Sequence, residues 1–288
     1  MNLGLVLSGG GVKGAAHIGV LKALEEENIK VSCISGTSSG SIVATLYSCG
    51  YSPNEIYYIF NRYCKCITDY DKMIPFKVLN MLFTGNLKLK SLAKGDNLEH
   101  IIHSFCYKKG IIDIANLNIP CAIATVDVVY GKVVYFCSRK IERKDTTIYE
   151  DVPDYIYNGK ISSIVRASSA FPGAFSPKRI GDYLLVDGGV RVNSPVSVLK
   201  EISQNNEKIL VVYFEKADNN FEPKNIIDTT IKSFDIMGHE VNKEEIELAD
   251  YKLDIESRNV SLLDISKIDY MVNLGYTLTK KYIRNNLK

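Results

Sequence analysis

The 288-residue sequence has no apolar run approaching the ~20 residues that a bilayer-spanning helix needs. Its start, Met1-Asn2-Leu3-Gly4-Leu5-Val6-Leu7, has no basic residues ahead of the apolar stretch and runs into a glycine-rich turn. It therefore reads as a first strand and not as a secretion signal, and the expected compartment is the cytosol. Charge of one sign is also missing. The 35 Lys and Arg against 33 Asp and Glu leave a net +2, which gives no electrostatic case for a nucleic-acid partner, although local lysine clusters are compatible with an anionic membrane surface. No Cys-x-x-Cys pair occurs. The seven cysteines lie mostly in apolar surroundings, such as Ile119-Pro120-Cys121-Ala122-Ile123, and read as reduced core residues. Cys64 and Cys66 are too closely spaced for a zinc hook, and no His/Cys group completes one, so no metal is expected. Histidine is scarce: only His17, His100, His103 and His239, with His100 and His103 at i, i+3 on one helix and no evident third ligand. Repeats and low-complexity linkers are lacking as well. With 46% hydrophobic and 24% charged residues, the composition predicts an ordinary globular chain forming one domain over 1–288, with a motif-bearing core at about 3–215 and a helical part at about 225–288.

The stretch Ile34-Ser35-Gly36-Thr37-Ser38-Ser39-Gly40-Ser41 organises the rest. It places a serine between two glycines as Gly-x-Ser-x-Gly directly after a short apolar strand, Val31 to Ser35. This is the pattern of a nucleophile elbow, in which a strand ends, the chain turns sharply and a helix begins with the serine exposed at the tip. Gly36 and Gly40 fit because side chains there would collide with neighbouring backbone. The helix from Ser39 to about Cys49 aims its free N–H groups at Ser38, which becomes the candidate nucleophile.

Upstream, the strand Leu3–Leu7 leads into Ser8-Gly9-Gly10-Gly11-Val12-Lys13-Gly14 and then an amphipathic helix reaching Ile29. Strand, loop, helix, strand, elbow and helix within about 50 residues imply a parallel βαβ unit with both loops at the carboxyl ends of its strands. Three readings of the glycine loop compete. Gly9-x-Gly11-x-x-Gly14 matches a dinucleotide fingerprint, but the second strand ends in Ser35-Gly36 without the acidic residue that would hold a ribose. A phosphate P-loop requires Lys-Ser/Thr where Ala15-Ala16 stands. An oxyanion hole uses the N–H groups of Gly10 and Gly11 beside the serine, and only this reading employs both loops.

Ser52 caps a helix from Pro53 to about Tyr63. Between Lys65 and Lys94, the apolar stretch Met73 to Phe83 is framed by Lys72, Lys77, Lys88, Lys90 and Lys94, a pattern that fits either a core helix with a basic side or a lid over an acyl chain. Helix Leu98–Tyr107 follows, then a hairpin of Ile119–Val128 and Val133–Cys137 around Tyr130-Gly131. A charged excursion runs from Arg139 to Pro153, before helix Ser162–Ala170. Strand Tyr183–Val186 ends in Asp187-Gly188-Gly189, which is either a reactive acid with freed backbone or a plain turn. A helix starts at Asn193-Ser194-Pro195-Val196, Lys208–Phe214 is a buried strand, and Ile226 to Leu287 is expected to be largely helical.

Four segments in this order, Gly9-Gly10-Gly11-Val12-Lys13-Gly14, Gly36-Thr37-Ser38-Ser39-Gly40, Ala167-Ser168-Ser169-Ala170-Phe171-Pro172 and Asp187-Gly188-Gly189, resemble the patatin-like phospholipases, particularly the short bacterial members. The resemblance implies a three-layer α/β/α fold with a mainly parallel central sheet and a Ser-Asp dyad at strand ends. It implies hydrolysis of fatty acyl esters in lipids or phospholipids, with no cofactor, at a peripheral membrane surface. By the same resemblance Ser38 is the nucleophile and Asp187 its base. Gly9, Gly10, Gly11 and the Ser39 N–H are the oxyanion donors. Gly14, Gly36, Gly40, Gly188 and Gly189 support the turns, and Lys13 stands where the family often has arginine. Two other functions stay open on the residues. Ser38, Asp187 and His239 follow the chain order of an α/β-hydrolase triad, though His239 lies in a helical segment. The glycine loop also suits a noncatalytic anion- or nucleotide-binding module.

Overall fold

The computed structural model describes residues 1–64, 93–141, 152–203, 207–214, 222, 226–257, 260–262 and 264–287. The stretch Met73–Phe83 with Lys72, Lys77, Lys88 and Lys90, and most of the charged excursion after Arg139, lie outside these.

Among the described residues the strands are β1 (Asn2–Leu7), β2 (Lys30–Gly36), β3 (Cys121–Asp127), β4 (Lys132–Cys137), β5 (Asp154–Ile156), β6 (Lys178–Ile180), β7 (Tyr183–Asp187), β8 (Lys208–Tyr213) and β9 (Tyr251–Asp254). They form one sheet in the order β5-β4-β3-β2-β1-β8-β9, with β7 attached to β3 and β6 to β7. The pairs β1–β2, β1–β8, β2–β3, β4–β5 and β8–β9 are parallel, and β3 runs antiparallel to β4 and β7.

Apolar alternation puts a core on each face. In β1, Leu3, Leu5 and Leu7 join one hydrophobic cluster and Val6 the other, and in β8 Leu210 and Val212 oppose Ile209 and Val211. Both faces of a central parallel strand are thus dry, and both need helices to cover them. Helices α1 (Ala16–Glu26), α2 (Ser39–Ser48) and α3 (Pro53–Tyr63), with the helices Asp96–Lys108, Ile161–Ser168 and Ile268–Asn286, cover the first. The helix Val196–Ile202 and the end of the helix Ile226–Glu247 cover the second. The three-layer α/β/α arrangement follows. The cap of α3 forms as expected: the Ser52 amide donates to Glu55 at 2.8 Å while the Ser52 hydroxyl receives the Glu55 amide at 3.3 Å.

The region from Ile226 to Leu287 is largely helical, as expected, with one addition: Tyr251–Asp254 forms β9 on the free edge of β8. Only Leu253 of these four residues is buried, so no run of apolar residues marks the strand.

Candidate active site

The register of β3 brings the two halves of the site together. β4 pairs with one edge of β3 along Ala122–Asp127, so β2 and β7 must share the other edge. β2 ends with Gly36 opposite Ile123, and β7, running the opposite way, ends with Asp187 opposite Thr125. Two strands thus meet head-on along a third, with Ala124 alone between their ends, a gap of about 7 Å at strand spacing. The turn after β2 carries Ser38 into that gap.

Ser38 holds a positive φ of 53° with ψ −123°, a conformation that costs a non-glycine residue on the order of 1–3 kcal/mol. Its amide donates to the Ser168 hydroxyl at 2.9 Å, and that hydroxyl donates in turn to the Ala124 carbonyl at 2.8 Å. Ser168 is fully buried and bridges the elbow to the middle of β3. The elbow glycines are sterically compelled. A Cβ on Gly40 would lie 2.1 Å from the Leu7 carbonyl oxygen, and one on Gly36 2.7 Å from the Gly40 backbone.

Asp187 is buried at the end of β7. Its amide donates to Ala170 at 3.1 Å, and its carboxylate accepts from the Gly189 amide at 2.8 Å. Burial pushes this carboxyl from 3.8 up to about 6, against the Ser38 hydroxyl and the Gly189 amide, whose hydrogen bonds pull it down. Ser38 and Asp187, set far apart in the chain, are therefore brought together in a dry site. Gly188 lies so close to β3 that a Cβ would meet the Ala124 oxygen at 2.5 Å.

The glycine loop lies against the elbow. A Cβ on Gly14 would be 2.3 Å from the Ser39 hydroxyl oxygen, and one on Gly9 would be 3.1 Å from the Ser38 Cβ. The expectation for Gly9 as an oxyanion donor is revised by its partners. Its amide donates to the Asn193 carbonyl at 3.2 Å and to the Asn193 Oδ1 at 3.0 Å, while Nδ2 of Asn193 donates to the Gly9 carbonyl at 3.3 Å. Among the described residues no acceptor is bound to the amides of Gly10, Gly11 or Ser39. Gly11 takes φ +56° and presses on the Leu262 carbonyl. Lys13 is buried in the single 3-10 turn Gly11–Ala15 that joins the loop to α1.

All four histidines lie on helices. His17 is fully buried in α1, and its Nε2 is 2.8 Å from the Ser8 carbonyl. Burial lowers its pKa to about 4, only partly offset by that hydrogen bond, so at neutral pH the ring is uncharged and its Nε2–H anchors the start of the glycine loop. His100 and His103 are on the helix Asp96–Lys108, and His239 is on the helix Ile226–Glu247, which precedes β9. A triad histidine would instead sit in a loop after the last strand.

Two residues that local sequence left without a role belong to the site: Ser168, within the segment Ala167–Pro172, and Asn193, at a helix start. Replacing Ser168 by alanine would strand the Ser38 amide and the Ala124 carbonyl in a dry site, at a cost of about 2 kcal/mol. Because the lost bond orients the serine, the rate of any reaction carried on Ser38 should fall tenfold or more at nearly unchanged KM, with partial recovery in Ser168→Thr. Steady-state kinetics on both variants checks this, and an unchanged kcat would deny Ser168 the positioning part.

Residues 5–200 match the family model described as patatin-like phospholipase. The chain belongs to the patatin-like phospholipase family. It is 28% identical over 200 residues to lysophospholipase NTE1 of Debaryomyces hansenii, covering 69% of this chain and 11% of that protein. To the probable lipid hydrolase 463L of Invertebrate iridescent virus 6 it is 29% identical over 210 residues, covering 71% of this chain and 66% of the viral protein. The match thus takes in a small fraction of the fungal protein and about two thirds of the viral one. Among solved structures, VipD from Legionella pneumophila superposes with a TM-score of 0.53 at 17% identity, over 98% of this chain and 67% of that one. ExoU of Pseudomonas aeruginosa, in complex with SpcU, gives 0.50 at 15% identity, over 100% and 53%. At these identities the likeness is one of fold.

Proposed function

We propose that the protein is a serine lipid acyl hydrolase of the phospholipase A or lysophospholipase type, working through an acyl-enzyme on Ser38. The observation that carries this reading is the register of β3, which brings the buried Asp187 carboxyl, pushed up to about 6 by its burial, beside the elbow that carries Ser38. A serine hydroxyl needs a base to attack an ester, and a carboxylate of ordinary pKa is a weak one; a value raised by burial brings Asp187 close to working pH. Ser38 Oγ attacks the acyl carbonyl as its proton passes to Asp187. The carbonyl oxygen, now negative, meets the N–H groups of Gly10, Gly11 and Ser39 and the positive end of α2. Asp187 then hands its proton to the departing alcohol, and the alcohol leaves. In the second half Asp187 takes a proton from water, whose oxygen attacks the acyl-serine, and passes it to the departing Ser38 Oγ as the fatty acid leaves. Asn193 holds Gly9 in place so that the next two amides remain free for substrate. The chemistry needs neither a metal nor an organic cofactor.

The relatives named lysophospholipase and lipid hydrolase support the substrate class. The test is threefold. An aryl fluorophosphonate should label Ser38 at one equivalent, kcat/KM on a short-chain aryl ester should rise through about pH 6 and level off above it, and His239→Ala should keep its turnover. A pH profile with no inflection near 6, or a dead His239 variant that is still folded, would replace the dyad with another base.

A further inference from the structure

Turn residues are ordinarily polar, and a run of three exposed apolar side chains is a fault in a water-facing surface unless something uses it. The β3–β4 hairpin carries such a run. Val128, Val129 and Tyr130 are 49%, 61% and 84% exposed. The turn beneath them is firmly built. Asp127 pairs with Lys132 to close it, the Asp127 carboxylate accepts the Val129 amide at 3.3 Å, the Val128 amide donates to Leu184 at 2.9 Å, and Gly131 takes the left-handed conformation with φ 68°. None of the three exposed side chains is needed to hold it.

Its position follows from the register. Asp187 stands opposite Thr125, so Val128 is three residues, about 10 Å, further toward the carboxyl end of β3, the end at which the elbow and the glycine loop also lie. The tip is tied to the candidate site by Arg191, just after Gly188-Gly189, whose Nη1 donates to the Gly131 carbonyl at 2.6 Å.

We propose that Val128, Val129 and Tyr130 form an anchor that inserts into the interfacial layer of a lipid membrane and presents the Ser38–Asp187 mouth to its substrate. This rests on the reading of the protein as a lipid acyl hydrolase. A substrate held in a bilayer can be reached only by a site facing it, and the tip stands at the same end of the sheet. Tyrosine at the outermost position suits the boundary, where its ring lies in apolar surroundings and its hydroxyl in water. The charges beside the tip nearly balance. Lys132 is paired with Asp154 at 2.6 Å, and the Arg179 guanidinium donates to the Asp182 carbonyl at 3.4 Å next to that residue's carboxylate. Apolar burial, not attraction to anionic headgroups, therefore drives the docking, and it should depend only weakly on salt.

The absence of tryptophan from the sequence gives a direct probe. The Tyr130→Trp variant carries the only indole, and on phosphatidylcholine vesicles its emission should shift to the blue and be quenched by brominated acyl chains. Replacing Val128, Val129 and Tyr130 together by serine should lower vesicle co-sedimentation by about tenfold or more. Turnover of phospholipid in vesicles should fall with it, while turnover of a soluble short-chain ester stays unchanged. An indole emission in Tyr130→Trp that vesicles leave unshifted, or vesicle binding that survives the serine variant and is lost instead on changing the exposed Ile236 and Met237, overturns the proposal. So does a serine variant that alters only the oligomeric state, since the tip would then meet protein. Vesicle binding is read without turnover, so a protein that is inactive on every ester but still docks through the introduced indole would defeat the hydrolase reading and spare the anchor.

Discussion

Asp187→Asn is expected to lower ester turnover by about a thousandfold or more and, at the same time, to make the protein harder to unfold at pH 8. The native carboxyl has been pushed from 3.8 up to about 6, so the folded state holds the proton more tightly than the unfolded chain does. The stability this group contributes is full below pH 3.8 and is lost as pH rises toward 6. Above that, a buried native charge costs up to about 3 kcal/mol. Asparagine cannot ionise and still offers an oxygen to the Gly189 amide. The gain in Tm should therefore be present at pH 8 and vanish near pH 4. His17 runs the other way: its native pKa near 4, against 6.5 unfolded, removes stability as pH falls between those values. It does so equally in wild type and variant, and the difference between their melting curves isolates Asp187. A stability difference that is flat with pH, or an asparagine variant with near-normal turnover, would refute the assignment.

The second large effect concerns the floor of the glycine loop. Alanine is the better helix former by about 1 kcal/mol, yet Gly19→Ala in α1 should destabilise the protein by about 2–3 kcal/mol or more. A Cβ there would lie 2.0 Å from the Val272 carbonyl oxygen and 2.5 Å from the Tyr276 amide nitrogen, and a Cβ on Gly275 would lie 2.1 Å from the Ala16 oxygen. α1 and the helix Ile268–Asn286 thus cross backbone against backbone at a pair of glycines. Prying them apart moves the first turn of α1, which carries the loop directly ahead of it, so activity should fall along with the urea midpoint. Unchanged unfolding in Gly19→Ala would mean that the two helices can separate freely.

Much of the site was legible because its parts are local. The elbow announces itself through glycines on both sides of Ser38, and Asp187 through a strand that ends in two glycines. Their partnership was legible only through the order of the motifs, since no local pattern relates residue 38 to residue 187. Asn193 and Ser168 show the limit. Their partners, Gly9 and Ser38, lie 184 and 130 positions away, and neither asparagine before Ser-Pro nor serine in a small-residue helix end is unusual by itself. The same physics hid β9, β5 and β6. Strands of three or four residues with few buried side chains exist because a sheet edge offers hydrogen bonds, and an edge is a property of the assembled sheet.

The head-on meeting of β2 and β7 along β3 makes the backbone of β3 a ruler for the spacing of Ser38 and Asp187. The gap between Ser38 and Asp187 is set by a count of residues in a third strand, and not by the chain that connects them. The length of chain between β2 and β7 does not enter that count. A single residue added between Leu185 and Asp187 would shift the carboxylate by one strand step, about 3.3 Å, and turn it to the opposite face of the sheet. The fold can therefore change length elsewhere around a fixed Ser38–Asp187 spacing, so its surface can vary while that spacing is kept.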